Sequence, residues 1–229
     1  MLLFQDLAQD TLQEVVSEEK TLSVIDLIVS GGTGSIVIIL ILFVLLFVAM
    51  YIYFERIFAI KAASKIDKNF MNQIRDHVTN GKIESAKALC DNTHTPTARL
   101  IGKGISRIGK PLDDINTAIE NAGKLEVYQL ERNVSVLATI AGAAPMIGFL
   151  GTVIGMIVAI HEIANSGGQI DIKMLSDGLY TAMTTTVAGL IVGIIAYIAY
   201  NHLVVRTDKV VYQMEAKSVE FLDLLNEPV

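Results

Sequence analysis

Hydroxyl side chains inside two apolar segments are the residues of this sequence best placed to do chemistry. Thr181, Thr184, Thr185 and Thr186 fall within six residues of one segment, and Thr152 lies in another. A lone threonine in a membrane helix usually bonds to the carbonyl four residues earlier, but this group is denser than that explanation requires. At about 100° per residue, Thr181, Thr184 and Thr185 share a helix face, with Thr186 at its edge. We therefore expect Thr152, Thr181, Thr185 and Thr186 to line a narrow polar pore.

These hydroxyls can donate and accept hydrogen bonds, but threonine does not titrate at accessible pH and cannot carry a proton. The apolar segments that hold them contain no Asp, Glu, Lys or Arg. An ionisable group for a proton relay therefore has to come from elsewhere.

The chain shows no catalytic or cofactor-binding pattern. Residues 102–109 contain glycines but no Walker-type lysine. The histidines lack metal-ligand spacing, and each is expected at a surface or an interface; they are His77, His94, His161 and His202. We predict no catalytic residue, no metal site, no cofactor and no enzyme activity.

Three apolar segments are long enough to cross a bilayer, and they cover residues 36–54, 134–160 and 178–205. A helix rises about 1.5 Å per residue, so each can cross a hydrocarbon layer of roughly 30 Å. Of the 229 residues, 52% are hydrophobic. The sequence predicts an all-α membrane protein with three transmembrane helices.

The polar segments complete the predicted layout. Residues 1–35 are expected to form a periplasmic amphipathic helix and joint, with a disordered leader as the alternative. Residues 55–133 read as a helical cytoplasmic loop, 161–177 as a periplasmic loop, and 206–229 as a cytoplasmic C-terminal helix.

Breakers and apolar repeats predict the helices of the cytoplasmic loop. One helix should stop at Gly81, a short one should run from Ile83 to Cys90, and two more should begin at Pro96 and Pro111. The last of these shows no breaker before the second span, and the third span continues its apolar repeat to the C-terminus. The second and third transmembrane helices should therefore be long and extend into the cytoplasmic region.

Basic residues fix the predicted orientation. They flank one end of each apolar segment and are Arg56, Lys61, Lys65, Lys124, Arg132, Arg206 and Lys209. Loops rich in Lys and Arg stay in the cytoplasm, so the N-terminus is predicted to be periplasmic and the C-terminus cytoplasmic. The single Cys90 falls in the cytoplasmic loop, and no disulfide is expected.

Small residues recur at helical spacing in the second and third spans. Gly148, Gly151 and Gly155 lie in the second span, and Gly189 and Gly193 lie four apart in the third. Such residues let helix backbones approach closely in lipid. This favours tight packing, either within one subunit or between subunits. Pro145 removes a backbone hydrogen bond and is expected to kink the second span.

Three stretches of sequence resemble the MotA/TolQ/ExbB proton-channel family. They are APMIGFLGTVIGM at 144–156, GLYTAMTTTVAGLIVGIIAYIAYN at 178–201 and ALCDNTHTPTARLIGKGISRIG at 88–109. The layout of one span, a helical loop and two long helices is also similar, and three spans rather than four fit ExbB or TolQ better than MotA.

The resemblance implies partners and a place in the cell. By resemblance, five copies form a homo-oligomeric ring around an ExbD-like dimer in the Gram-negative inner membrane, among membrane lipids and without nucleic acid. Proton entry then drives work that a TonB-like protein passes to outer-membrane transporters. Rival interpretations are a TolQ-like subunit of an envelope-stabilising motor, a non-conducting membrane scaffold, and a membrane enzyme without a visible catalytic constellation.

The resemblance also bears on individual residues. Thr152 and Thr186 match the family's pore-facing threonines. Thr181 stands where ExbB proteins often carry a glutamate, so the ring would rely wholly on an aspartate of the partner.

Overall fold

The computed structural model describes residues 33–65, 69–165 and 172–226. The predicted amphipathic helix, most of the joint that follows it, and residues 166–171 of the predicted periplasmic loop lie outside the described residues. The described part consists of seven helices without a strand: α1 Thr33–Ala63, α2 Phe70–Thr79, α3 Ile83–Asn92, α4 Pro96–Ile105, α5 Leu112–Glu131, α6 Val134–Asn165 and α7 Ile172–Asn226.

Three of these helices, α1, α6 and α7, contain the predicted spans. Within the described residues they are the stretches long and apolar enough to cross a membrane. Their outward-facing side chains are largely apolar and exposed, among them Phe43, Phe47 and Ile198, as expected where lipid rather than water is the solvent. The predicted all-α class with three transmembrane helices is confirmed.

The helices of the loop begin and end where the sequence predicted. Helix α2 ends just before Gly81, which has a φ of 68° that glycine adopts without strain. Helix α4 has Pro96 in its first turn, and the Thr95 hydroxyl accepts from the Ala98 amide at 3.3 Å. Helix α5 starts directly after Pro111.

The predicted unbroken passage from α5 into the second span is wrong at one point. Helix α5 ends at Glu131, Arg132 is extended with a ψ of 131°, and Asn133 has a φ of 62°. Asparagine tolerates this left-handed conformation better than other residues with a side chain. The sequence holds neither Gly nor Pro here, which is why the break was missed. Helix α7, in contrast, runs over 55 residues without interruption, as predicted.

The chain divides into two compact units, which are described separately. The first contains residues 149–187 together with the start of α1 up to Leu40, and the second contains residues 41–148 and 188–229.

In the second unit, α4 packs against α5 and the far end of α7. A methyl group added at Gly104 would lie 2.6 Å from the ring of Phe221 and 2.8 Å from the Ile119 side chain. Ile101 and Ile105 of α4 are fully buried in the same core. The C-terminal part of α7 is thus a structural element of the helical loop.

Candidate functional site

In the first unit, α6 and α7 meet through side chains of one or a few atoms. A methyl group added at Gly151 would lie 2.7 Å from the Cβ of Thr185, and one added at Gly155 would lie 3.0 Å from that of Ala182. Thr185 has no exposed surface, and its hydroxyl donates to the Ala182 carbonyl at 2.8 Å. The Thr185 hydroxyl therefore donates its hydrogen bond within its own helix, while the Cβ of Thr185 fills the space that Gly151 leaves.

In the second unit, the same two helices meet backbone against backbone. A methyl group added at Gly189 would lie 2.6 Å from the Ala144 carbonyl oxygen and 2.9 Å from the Gly148 Cα. One added at Gly193 would lie 2.7 Å from the Pro145 ring. All five glycines singled out by spacing thus lie at contacts between two helices of one chain, and their role between subunits stays a prediction.

Pro145 lies inside α6 without ending the helix. Its ring packs over Gly193, so the glycine provides the space that the proline needs. The kink expected from the missing hydrogen bond stays a prediction.

The threonines occupy different environments. Thr152 and Thr186 are half-buried, whereas Thr185 is fully buried between the helices. The Thr152 hydroxyl donates to the Phe149 carbonyl, a local bond that leaves its oxygen lone pairs available as acceptors. The side chain of Thr181 lies outside the description. Thr152 and Thr186 therefore retain accessible surface, while the burial of Thr185 suits helix packing.

Sequence reasoning missed a polar cluster near the end of the third span. The Tyr53 hydroxyl of α1 and the His202 Nδ1 of α7 lie 2.8 Å apart, and Arg206 Nε donates to His202 Nε2 at 3.3 Å. His202 falls inside the predicted span, so that span does hold an imidazole side chain. Its position near a tyrosine of another span became visible only in three dimensions.

Two arginines anchor the helical loop. Arg56 pairs with Glu55 and donates to the Gln129 carbonyl at 3.1 Å. Arg99 pairs with the buried Glu126 through two parallel bonds, at 2.6 and 2.5 Å, and this pairing raises the pKa of Arg99. Such fork-to-carboxylate bonds fix orientation as well as charge.

Two further features of the described part of the chain are the clustering of its potential metal ligands and the reactivity of Cys90. No three His, Cys, Asp or Glu side chains within it lie close enough to hold a metal ion. Cys90 is buried against α4, and burial raises the pKa of its thiol to about 12. A thiol of that pKa is protonated at neutral pH and is a poor nucleophile.

Comparison with known proteins decides the family. Residues 92–216 match the MotA/TolQ/ExbB proton channel family. The chain belongs to this family. The matched region begins at the end of α3 and includes both glycine contacts, the threonines and the Arg99–Glu126 pair; α1 lies outside it.

Individual relatives of this proton channel family carry two names. The chain is 24% identical over 162 residues to an ExbB homologue of Methanothermobacter thermautotrophicus, covering 70% of this chain and 57% of that one. It is 40% identical over 79 residues to the biopolymer transport protein ExbB of Helicobacter pylori, covering 34% and 54%. It is 34% identical over 93 residues to the Tol-Pal system protein TolQ of Haemophilus influenzae, covering 41% and 40%.

The coverage and the names of these relatives limit what can be concluded from family membership. The aligned part of the chain spans about half the length of the curated relatives it matches. Names of both the ExbB and the TolQ type occur at similar identity. Membership of the MotA/TolQ/ExbB family therefore does not separate those two roles.

Proposed function

We propose that this chain is an ExbB-like stator subunit of an inner-membrane motor. Driven by the proton-motive force, it would energise TonB-dependent outer-membrane transport together with an ExbD-like partner. The observation that carries the proposal is the pair of long apolar helices, held in contact by glycines, that present half-buried Thr152 and Thr186 but no carboxylate within residues 134–160 and 178–205. Such a surface suits a polar sleeve around a proton carrier that belongs to another chain.

The mechanism assigns the proton to the partner. A carboxylate inside a membrane has a raised pKa because burial disfavours its charged form. As it meets each subunit of a homopentameric ring, a partner aspartate would lose and regain its proton. While it is ionised, the carboxylate would accept hydrogen bonds from Thr186 and from Thr152, whose hydroxyl would first turn away from the Phe149 carbonyl. These bonds lower the cost of its desolvation.

The threonines have different roles in this proposal. Thr152 and Thr186 contact the partner, and Thr185 holds α6 against α7 from its buried position. Thr181 is placed at the pore by the helical spacing of the threonines. The ring of subunits, the ExbD-like dimer at its centre, the TonB-like protein and the surrounding lipids complete the assembly.

The decisive experiment replaces the two hydroxyls. Thr152→Val and Thr186→Val, singly and together, keep side-chain volume and remove the donor. We expect normal assembly with an ExbD-like partner and loss of most energy-coupled uptake in cells, whereas serine at either position should retain part of it.

A matched control separates pore chemistry from packing. Thr139 lies on the same helix as Thr152, is exposed, and bonds to the Ser135 carbonyl at 3.1 Å. Thr139→Val should leave uptake unchanged. Full uptake by the Thr152→Val/Thr186→Val double variant at normal expression would refute the sleeve.

The proposed orientation has its own test. Single cysteines replacing Lys20, Lys61 and Lys217 report which side each residue faces. Labelling of position 20 alone by a membrane-impermeant maleimide in intact cells would agree with a periplasmic N-terminus and a cytoplasmic C-terminus. Labelling at 61 or 217 would contradict it.

The TolQ relative favours a second candidate, an envelope-stabilising motor. Complementation separates the two roles. Restored iron-complex uptake in a host lacking ExbB and TolQ indicates the ExbB role, and restored detergent resistance indicates the TolQ role.

A further inference from the structure

A cavity of about 760 Å³ opens in the second unit beside the break between α5 and α6. Arg56, Arg99, Arg132 and His94 contribute its basic lining. Short apolar side chains of α1, among them Ala59 and Ala62, form another part of the wall. The cavity thus combines three arginines with an apolar wall.

The charges around this cavity leave a positive excess. Glu126 lines the cavity and neutralises Arg99, and Glu55 neutralises Arg56. The side chain of Arg132 is exposed and forms no hydrogen bond within the described part of the chain, although its charge also acts on Glu55. Glu126 in the lining and Glu55 outside it therefore offset the charge of two of the three arginines.

Donors are available as well as charge. Arg99 donates hydrogen bonds to Glu126 through Nε and Nη2, and its Nη1 donates no hydrogen bond to any of the described residues. The side chain of Arg99 is 48% exposed, so this nitrogen can reach a ligand. With Arg132 it offers guanidinium donors suited to the oxygens of a phosphate group.

The position of the cavity points to a membrane ligand. Arg56 follows the first apolar span by two residues, and Arg132 precedes the second by two. The bond from Arg56 to the Gln129 carbonyl joins these two boundaries in space. Basic pockets at the ends of transmembrane helices are suited to acidic lipid headgroups, because the acyl chains can remain in the apolar layer.

We propose that this cavity binds the headgroup phosphate of an anionic phospholipid. Arg132 and the unused Nη1 of Arg99 hold the phosphate oxygens. The acyl chains leave along the apolar surface of α1. The site requires only the geometry of the second unit and does not depend on the motor function.

Binding by the purified full-length chain in detergent tests this site. Dioctanoyl phosphatidylglycerol, dioctanoyl phosphatidylcholine and inorganic phosphate are titrated separately by isothermal calorimetry. We expect the phosphatidylglycerol to bind about tenfold more tightly than the phosphatidylcholine, and inorganic phosphate to bind far more weakly than either. Equal affinity for the two lipids would overturn the proposal, and phosphate binding as tight as that of phosphatidylglycerol would assign the site to a soluble anion.

Variants locate the binding. Arg132→Gln should weaken phosphatidylglycerol binding about tenfold, as loss of a charge-assisted bond predicts, and Arg132→Lys should fall between it and the native chain. Lys61→Gln removes the same charge from an exposed position of α1 outside the lining and should leave binding unchanged. Equal losses in Arg132→Gln and Lys61→Gln would show general attraction to a basic surface and reject the cavity. The comparison of ligands on the native chain stands even where a variant folds poorly.

Discussion

The contacts of α6 with α7 differ between the two units, although glycines occur at both contacts. In the first unit Gly151 faces the side chain of Thr185, and in the second Gly189 faces the backbone of Ala144 and Gly148. A side chain can change its rotamer or be replaced by a smaller one, whereas a carbonyl within a helix can move only with its helix. The two contacts should therefore tolerate added volume to different degrees.

The largest effect is expected at Gly189. Gly189→Leu places a branched side chain where even a methyl group would lie 2.6 Å from a carbonyl oxygen, so the helices must separate. We expect loss of the folded chain and of any oligomer in size-exclusion chromatography and native mass spectrometry.

Gly142 provides the control for this substitution. It lies on α6 and has no neighbour within 4 Å of an added methyl group. Gly142→Leu should assemble normally. An unchanged oligomer in Gly189→Leu would show that the described backbone contact is absent from the membrane-embedded protein.

A smaller effect is expected at Gly151. Gly151→Ala crowds the Thr185 side chain and should destabilise the chain by about 1–3 kcal/mol, as overpacking usually does. Thr185→Ala removes the nearest oxygen and methyl group, so the double variant should recover part of the loss. Thermal unfolding in detergent measures the coupling, and strictly additive effects would contradict the contact.

A third glycine contact, between Cys90 and Gly102, lies outside the spans. Its expected effect is the smallest of the three, because it concerns the reactivity of one thiol and leaves the fold unchanged. A methyl group added at Gly102 would lie 3.2 Å from the Cys90 Cβ. The pKa of the thiol is about 12 in the folded chain, above that of about 8.5 for a free cysteine. Its thiolate fraction should therefore stay negligible up to about pH 10.

The rate of reaction with a thiol reagent at pH 8 measures the accessible thiolate of Cys90. Ellman's reagent should react with Cys90 slowly in the folded chain and quickly in denaturant, with no change in stability before reaction. Rapid labelling of the native chain would mean that the packing of α3 on α4 opens readily.

Local signals in the sequence were sufficient for most of the fold. Pro96, Gly81 and Pro111 mark helix ends because their effects on the backbone are local. The three spans follow from length and apolarity. Asn133 was missed because asparagine occurs in many backbone conformations, so its identity alone does not indicate a break.

The candidate site was predictable only in part. Glycine spacing indicates that α6 or α7 approaches something closely, but the partner depends on the register of two helices. That register pairs Gly151 with Thr185 and Gly193 with Pro145. Arg99 and Glu126 were not linked because 27 residues separate them and each alone resembles an ordinary surface charge.

One consequence follows from the unbroken part of α7 within the second unit. Gly189 at one contact and Phe221 at another lie on the same helix, which separates them by about 50 Å. A continuous α-helix resists twisting because each turn is hydrogen-bonded to the next, whereas the helical hydrogen bonds between α5 and α6 are interrupted at Asn133. A rotation imposed at Gly189 would therefore reach the core around Phe221 as torque with little loss along the way.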